Sequence, residues 1–438
     1  MEQYLIYFVF FIVLFITFKK PEVSLAMLLN INIFRAIPYV NYQAPKYGYY
    51  NESDILLGAV LPILCFVIIT LKVLIKNKNI KYKSDIFDIF IVLLSVIMAL
   101  SILVSPSIIK SIKYTGIFLF LGTSFYFVTK LYFLNTLNKI NSLAWFVGAI
   151  VFFAILFSIE SLYLDSIAQY PYERMTFPGV YPIPFCLFLC LSIIIIVTYY
   201  LKPQMKFEFS KKVRLFFSLP IMAIIVFATI KTNTRGPVFA MILAFSVILF
   251  MFFRIKFNPK IILGSLLILL AGFMVLITAF DINKIAARFI TLTSKNSDSF
   301  SPRLSSYLDA INVFITRPWG ISVGTFSEYS SVDLISGQTA EYPHNLFMEL
   351  ISSFGVVGLT LSVLLIIFCL YEYNFIVRNQ KGIFSQPMFF LTLVMLLFFF
   401  IETQFSFTLN THKGWYLSMA LYSVFKWDFI KKKQSNET

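Results

Sequence analysis

Apolar runs long enough to cross a bilayer recur from one end of this chain to the other, with one long polar interruption from Asp281 to Asn345. Crossing roughly 30 Å of hydrocarbon as helix takes about 20 residues, somewhat fewer where the layer thins. Candidate spans fall at 3–18, 22–38, 54–75, 85–104, 114–131, 141–159, 181–201, 213–230, 238–253, 260–280, 345–371, 387–405 and 414–428. The first two are short and read as one hairpin or a partly inserted element, so twelve or thirteen crossings are expected. A membrane barrel would instead show short segments of alternating hydrophobicity. The predicted fold is an all-α polytopic membrane protein, divided into an N-terminal bundle (1–280), an extracytoplasmic loop (281–344) and C-terminal helices with a basic tail (345–438).

The polar interruption carries helix signals of its own. Ser301 and Pro302 read as an N-cap and a proline at the first helical position. Behind them Leu304, Tyr307, Leu308, Ile311 and Ile315 recur at helical spacing. A short amphipathic helix on the membrane surface, or across a cavity, is predicted. Arg317-Pro318-Trp319-Gly320 ends it, Gly320 and Gly324 flank a turn, and the polar tract Ser294–Ser301 reads as a joint.

Composition excludes a soluble domain. Only 13% of the 438 residues are charged and 59% are hydrophobic, against about 25% charged in soluble proteins; the mean hydropathy is +0.83. The first apolar run lacks a preceding basic stretch and a small-residue cleavage site, so it reads as a retained anchor. The net charge of +15 raises nucleic acid as a partner, but the basic residues sit at the ends of spans. Membrane topology explains that placement, and no nucleic acid is expected. One alternate set of connections holds 23 of the 36 basic residues; the other holds 13, five of them in the long loop. The richer side is assigned to the cytoplasm, with the C-terminal Lys431–Lys433 as an inside anchor, and the loop faces outward. Cys65, Cys186, Cys190 and Cys369 all lie in apolar segments and read as packing residues.

Few residues on the outer side carry chemistry. His344 sits at the outer boundary of a span, where an imidazole can act as a general base or simply hydrogen-bond a backbone carbonyl. Arg235 lies on the outer side before Gly236-Pro237, where a helix start and a guanidinium together make an anion site; snorkelling to lipid phosphate explains it equally. Arg303 stands in the first turn of the loop helix, and Arg174 lies ahead of the seventh span, where it could equally pair with Glu173. Lys231, Arg288 and Arg317 belong to the same outer group. Glu349 and Glu402 fall at or just inside spans, where ionisable groups are costly. His412, beside Lys413, reads as structural. The sequence has no glycine-rich nucleotide loop and no carboxylate cluster suited to Mg²⁺. That argues against a nucleotide-sugar enzyme or an ATPase, and leaves arginines to neutralise an anionic substrate.

Several of these residues lie in an ordered series. Arg303-Leu-Ser-Ser-Tyr307 is followed by Arg317-Pro318-Trp319-Gly320-Ile321-Ser322-Val323-Gly324-Thr325-Phe326. Next come Pro343-His344-Asn345-Leu346-Phe347-Met348-Glu349 and Phe354-Gly355-Val356-Val357-Gly358. The series resembles the O-antigen ligase and O-antigen polymerase (Wzy-type) superfamily. Ser322 stands where that family's turn has its second glycine. Thr234-Arg235-Gly236 resembles its Ser-Arg-Gly, and Arg174-Met175-Thr176-Phe177 its Arg-x-x-Gly, with Phe177 departing from the pattern.

The resemblance implies a glycosyltransferase in the bacterial cytoplasmic membrane, working on the outer face without a metal or other cofactor. Its donor would be a polyprenyl-diphosphate-linked oligosaccharide and its second substrate an acceptor glycan. His344 would be catalytic, Arg174, Arg235 and Arg303 would hold the diphosphate, and Asn345, Glu349 and Arg317 would support them. Polymerase is favoured over ligase, with a flippase and a chain-length regulator as further partner candidates. A lipid-linked glycan flippase or transporter is the competing class, with a non-catalytic scaffold a third. Transporters set their charges near the bilayer midplane and repeat their halves, whereas here the charges gather at the outer boundary.

Overall fold

The computed structural model describes residues 2–39, 56–167, 175–178, 180–201, 211–253, 300–331, 340–405, 408–409 and 412–437. Among them the regular structure is entirely helical, and the all-α polytopic class is borne out. Five helices are long and apolar enough to cross a membrane: Leu56–Lys76, Ile86–Val104, Ile108–Asn135, Lys139–Ile167 and Leu346–Arg378. Shorter apolar helices accompany them at Tyr4–Lys19, Pro182–Thr198, Leu219–Lys231, Arg235–Leu249 and Pro387–Glu402. The expected span at 260–280 and most of the tract 294–301 lie outside the described residues.

Two compact units make up the chain. The first comprises Met1–Val96, Thr115–Phe245 and Lys381–Thr438. Its helices are α1 (Glu2–Lys19), α2 (Pro21–Leu29), α3 (Ile31–Ala36), α4 (Leu61–Lys76) and most of α5 (Ile86–Ser101). After α6 (Ile108–Ile117), which ends inside this unit, come α7 (Thr123–Asn135), α8 (Lys139–Ile167), α9 (Pro182–Leu201), α10 (Lys211–Lys231) and the start of α11 (Arg235–Phe253). The second unit, Ile97–Tyr114 and Ser246–Gln380, contains α12 (Phe300–Thr316) and α13 (Leu346–Arg378). Back in the first unit are most of α14 (Gln380–Ser385), α15 (Pro387–Glu402) and α16 (Lys413–Glu437).

In the first unit α16 packs on α15 and α7. Its Trp415, Tyr416 and Tyr422 are buried. A helix enclosed on all sides needs no amphipathic stripe. By contrast α1 leaves Tyr4, Phe8, Phe11, Phe15 and Phe18 exposed along one side, the surface that lipid would solvate. One buried charge is fully satisfied: Lys130 Nζ lies 2.7 Å from Asp88 Oδ2 and 3.2 Å from Asp85 Oδ1. The Tyr82 hydroxyl donates to Asp88 and the Ser423 hydroxyl to Asp85. Such a pair is tolerated because its remaining lone pairs are hydrogen-bonded.

Three helices carry detail that the apolar runs alone do not show. The run 22–38 is not one helix, because Asn30 interrupts it; the Asn30 side chain donates to the Ala26 carbonyl at 3.1 Å and competes with the helical ladder. The helix that begins at Lys413 continues through the basic tail to Glu437. The run 345–371 is helical at both ends but breaks at Gly355, which adopts φ 57° and ψ −131°.

Candidate functional site

The break at Gly355 and the turn after α12 form one backbone arrangement within the second unit. In an uninterrupted helix the Val356 amide would donate to the Ser352 carbonyl four residues back. Here Val356 N instead donates to Pro318 O at 2.8 Å. The Ser352 carbonyl accepts from Ile321 N at 3.1 Å, and the Ser353 carbonyl from Ser322 N at 2.8 Å. The turn therefore supplies the partners that the interrupted helix loses. Non-helical backbone at membrane depth survives only where protein satisfies it in this way. The two chains approach so closely that a Cβ on Gly355 would lie 1.9 Å from Pro318 O.

Ser322 adopts φ 68° between Gly320 at φ 82° and Gly324 at φ 78°. The position where serine departs from the family's glycine is thus left-handed, a backbone that glycine adopts at no steric cost. Serine's hydroxyl is used as well, sharing a 2.8 Å hydrogen bond with Ser101 Oγ. Ser111 Oγ donates to the Val323 carbonyl at 3.1 Å, and the Tyr114 hydroxyl donates to Glu341 Oε2 at 3.3 Å. Ser101, Ser111 and Tyr114 were not singled out in the sequence. They stand some 200 positions away from the turn, and no spacing rule links them to it.

His344 lies just before α13, outside the span. Its backbone is left-handed, φ 56°, which costs a non-glycine residue on the order of 1–3 kcal/mol. Its ring stacks obliquely on Tyr342, centroids 4.3 Å apart. Nδ1 is buried with no hydrogen-bond partner among the described residues. Burial, and secondarily the positive charge of Arg303, lowers its pKa from 6.5 to about 4. The imidazole is therefore neutral at physiological pH, the form that can accept a proton. Asn345 sets the start of the next helix: its Oδ1 accepts from Phe347 N at 3.0 Å and Met348 N at 3.1 Å, capping α13. Glu349, buried in the first turn, places a carboxylate where the helix dipole favours it.

Helix α12 forms where the spacing predicted it, but Ser301 and Pro302 are its second and third residues rather than cap and first. Proline still fits there, because first-turn amides have no intrahelical partner. Ser306, Ala310 and Val313 face the protein, and the last two pack with Ile321 and Phe326. The predicted apolar stripe faces outward: Leu304, Leu308, Ile311 and Ile315 are exposed. Arg303 lies three residues before Ser306, on the packed side, half-buried and within electrostatic reach of His344. Arg317 stays exposed, with its guanidinium 6.0 Å from the Tyr329 ring centroid.

Arg235 belongs to the first unit and is the first residue of α11. The preceding connection is tight, with Asn233 at φ 50°. Lys231 forms an ion pair with Asp165 at 3.4 Å. Met175 N donates to the Lys231 carbonyl at 3.0 Å, so the segment after Arg174 reaches the connection that leads to Arg235. Arg174 itself lies outside the described residues. Thus His344 and Arg303 are brought together within the second unit, Arg317 is exposed, and Arg235 belongs to the first unit. His412 is buried at the start of α16, where its carbonyl accepts from Trp415 N at 3.0 Å.

Residues 220–363 match the family model Wzy_C, described as O-Antigen ligase. The matched stretch holds Arg235, Arg303, Arg317, His344, Asn345 and Glu349; Arg174 precedes it. Neither the comparison with curated proteins nor that with solved structures gives a match.

Proposed function

We propose, from the match of residues 220–363 to the O-antigen ligase family model, that this chain belongs to the O-antigen ligase/polymerase family and is a polysaccharide polymerase. It transfers a polyprenyl-diphosphate-linked glycan to an acceptor sugar hydroxyl on the outer face of the membrane. The observation that carries this reading is the neutral, buried imidazole of His344, whose Nδ1 has no partner among the described residues and whose charged neighbour is Arg303.

In the proposed reaction the acceptor hydroxyl attacks the anomeric carbon as the bond to the diphosphate oxygen breaks, with inversion. His344 takes the hydroxyl proton. The departing diphosphate gains negative charge, and Arg303 receives it as a charge-assisted hydrogen-bond donor, the role that the family resemblance also implies for Arg235 and Arg174. The capped start of α13 holds His344 at the mouth of the span through Asn345, with Glu349 one turn further in. A metal has no step in this scheme, because guanidinium groups do the neutralising.

The test is the length of lipid-linked glycan made by His344→Ala and Arg235→Ala variants present at normal membrane levels. Loss of a general base slows transfer by about 10²–10⁴-fold, so short, unpolymerised chains are expected. Polymer of normal length from both variants overturns the assignment. Transfer of the finished glycan to a lipid or protein acceptor is the second reading, favoured by the ligase description of the matched family model. Purified protein that elongates a polyprenyl-diphosphate glycan on its own supports polymerase; product only on a different acceptor supports ligase.

A further inference from the structure

On the lysine-rich face of the first unit, far along the sequence from His344, lies a cavity of about 360 Å³, within the size range of small-molecule sites. We propose that it binds the phosphate of an anionic phospholipid from the adjoining leaflet, which the charge bias assigns to the cytoplasmic side. The proposal does not depend on the glycosyltransferase reading.

Four ammonium groups line the cavity, those of Lys19, Lys20, Lys72 and Lys76, against a single carboxylate, Glu22. Glu22 Oε2 accepts from the Tyr132 hydroxyl, also in the lining, at 2.6 Å, and its single charge acts on Lys72. Among the described residues none of the four lysines forms an ion pair. Lys72 donates to the Phe18 and Lys19 carbonyls at 2.8 and 3.4 Å, closing the end of α1. Lys20 Nζ sits 4.5 Å from the centroid of a Trp145 ring. The remaining positive charge is uncompensated, and two helix starts add to it. Pro21 opens α2 and Asn138 caps α8, its Oδ1 accepting from Asn141 N at 3.0 Å. Ammonium groups of this kind bind phosphate as point charges.

The rim selects a lipid over a soluble phosphate. Leu137 and Trp145 line the cavity yet are 92% and 54% exposed. Phe18 and Ile75, adjacent in sequence to Lys19 and Lys76, are 64% and 83% exposed. A soluble anion would use the ammonium groups alone. A phospholipid uses both, with its phosphate among the lysines and its acyl chains along the exposed apolar side chains, the arrangement by which basic pockets beside membrane helices hold anionic headgroups.

The experiment is native mass spectrometry of the full-length protein from mixed micelles of phosphatidylglycerol and phosphatidylcholine. Wild type is expected to retain phosphatidylglycerol preferentially. Lys20→Gln with Lys76→Gln should weaken that retention by about fivefold for each lysine removed. Lys20→Arg with Lys76→Arg should keep it, and Lys432→Gln with Lys433→Gln, at the far end of α16, should leave it unchanged. Should the glutamine pair aggregate, Lys19→Gln, on an exposed side chain, gives the same readout. Equal retention of the two lipids, or unchanged retention in the glutamine variants, overturns the site. Displacement of phosphatidylglycerol by equimolar inorganic phosphate overturns the lipid assignment in favour of a soluble anion.

Discussion

Val356 donates its amide to the carbonyl of Pro318 at 2.8 Å, a bond that joins a long apolar helix to the turn after α12 through backbone alone. Gly355 permits it by its left-handed φ of 57° and by having no Cβ, which would meet Pro318 O at 1.9 Å. Gly355→Ala is therefore expected to cost about 2–5 kcal/mol, combining left-handed strain of about 1–2 kcal/mol with overpacking of about 1–3 kcal/mol. Thermal unfolding in detergent measures it. Gly116→Ala is the control: nothing lies within 4 Å of the added carbon, and helix propensity predicts no loss. Equal unfolding temperatures for the two variants would refute the close approach.

Asn345→Ala removes the cap of α13 and should destabilise by about 1 kcal/mol, whereas Asn345→Asp keeps an acceptor for the Phe347 and Met348 amides. Glycan transfer should fall in the alanine variant and survive in the aspartate variant, because the cap places His344. Transfer by the alanine variant equal to wild type would detach the cap from the site.

His344 gives a pH dependence with a definite sign. Its pKa of about 4 lies below the ordinary 6.5, so the base is available at neutral pH and is lost as pH falls through about 4. Activity should be level from pH 8 to about 5 and drop below that. Between pH 6.5 and 4 the unfolded chain binds more protons at this site than the folded one, so stability declines as pH falls across that window. A midpoint near 6.5 would show an imidazole open to water.

Arg303→Gln tests the second cause of that shift. A guanidinium disfavours the imidazolium, so its removal should raise the acidic midpoint toward 6.5, while burial, the larger cause, keeps it below. Arg303→Lys should leave it low. A midpoint that does not move in Arg303→Gln would place the guanidinium too far away to act on His344.

Ser322→Gly separates backbone from side chain. Glycine relieves the strain at φ 68° but gives up the hydrogen bond to Ser101, two effects of about 1 kcal/mol each that nearly cancel. Ser322→Val keeps the strain, adds a β-branch and loses the bond, so it should unfold at a clearly lower temperature than Ser322→Gly.

Much of this was legible in the chain. Apolar runs of bilayer length gave the class and the start of α13 after His344, and helical spacing gave α12. What stayed hidden depends on contacts between distant residues. The apolar stripe of Leu304, Leu308, Ile311 and Ile315 predicts a helix, yet periodicity says nothing of which face meets protein, and here the small residues Ser306 and Ala310 do. Gly355 belongs to the series that carries the family resemblance, yet nothing in its flanks marks a break in the helix. Its break becomes visible only when Pro318, nearly forty positions earlier, replaces the missing helical partner. The perturbed imidazole of His344 likewise arises from burial and a neighbour on another helix, neither of which is written in its own flanks.

The hydrogen bonds between Pro318–Ser322 and Ser352–Val356 also fasten the two ends of the intervening chain together. That stretch is a closed ring, and lengthening a ring is cheap, about 0.6 kcal/mol for each doubling. Added length between the turn and His344 thus costs the fastening, and the span attached to it, little. A single scaffold can in this way carry connections of different length without being refolded for each.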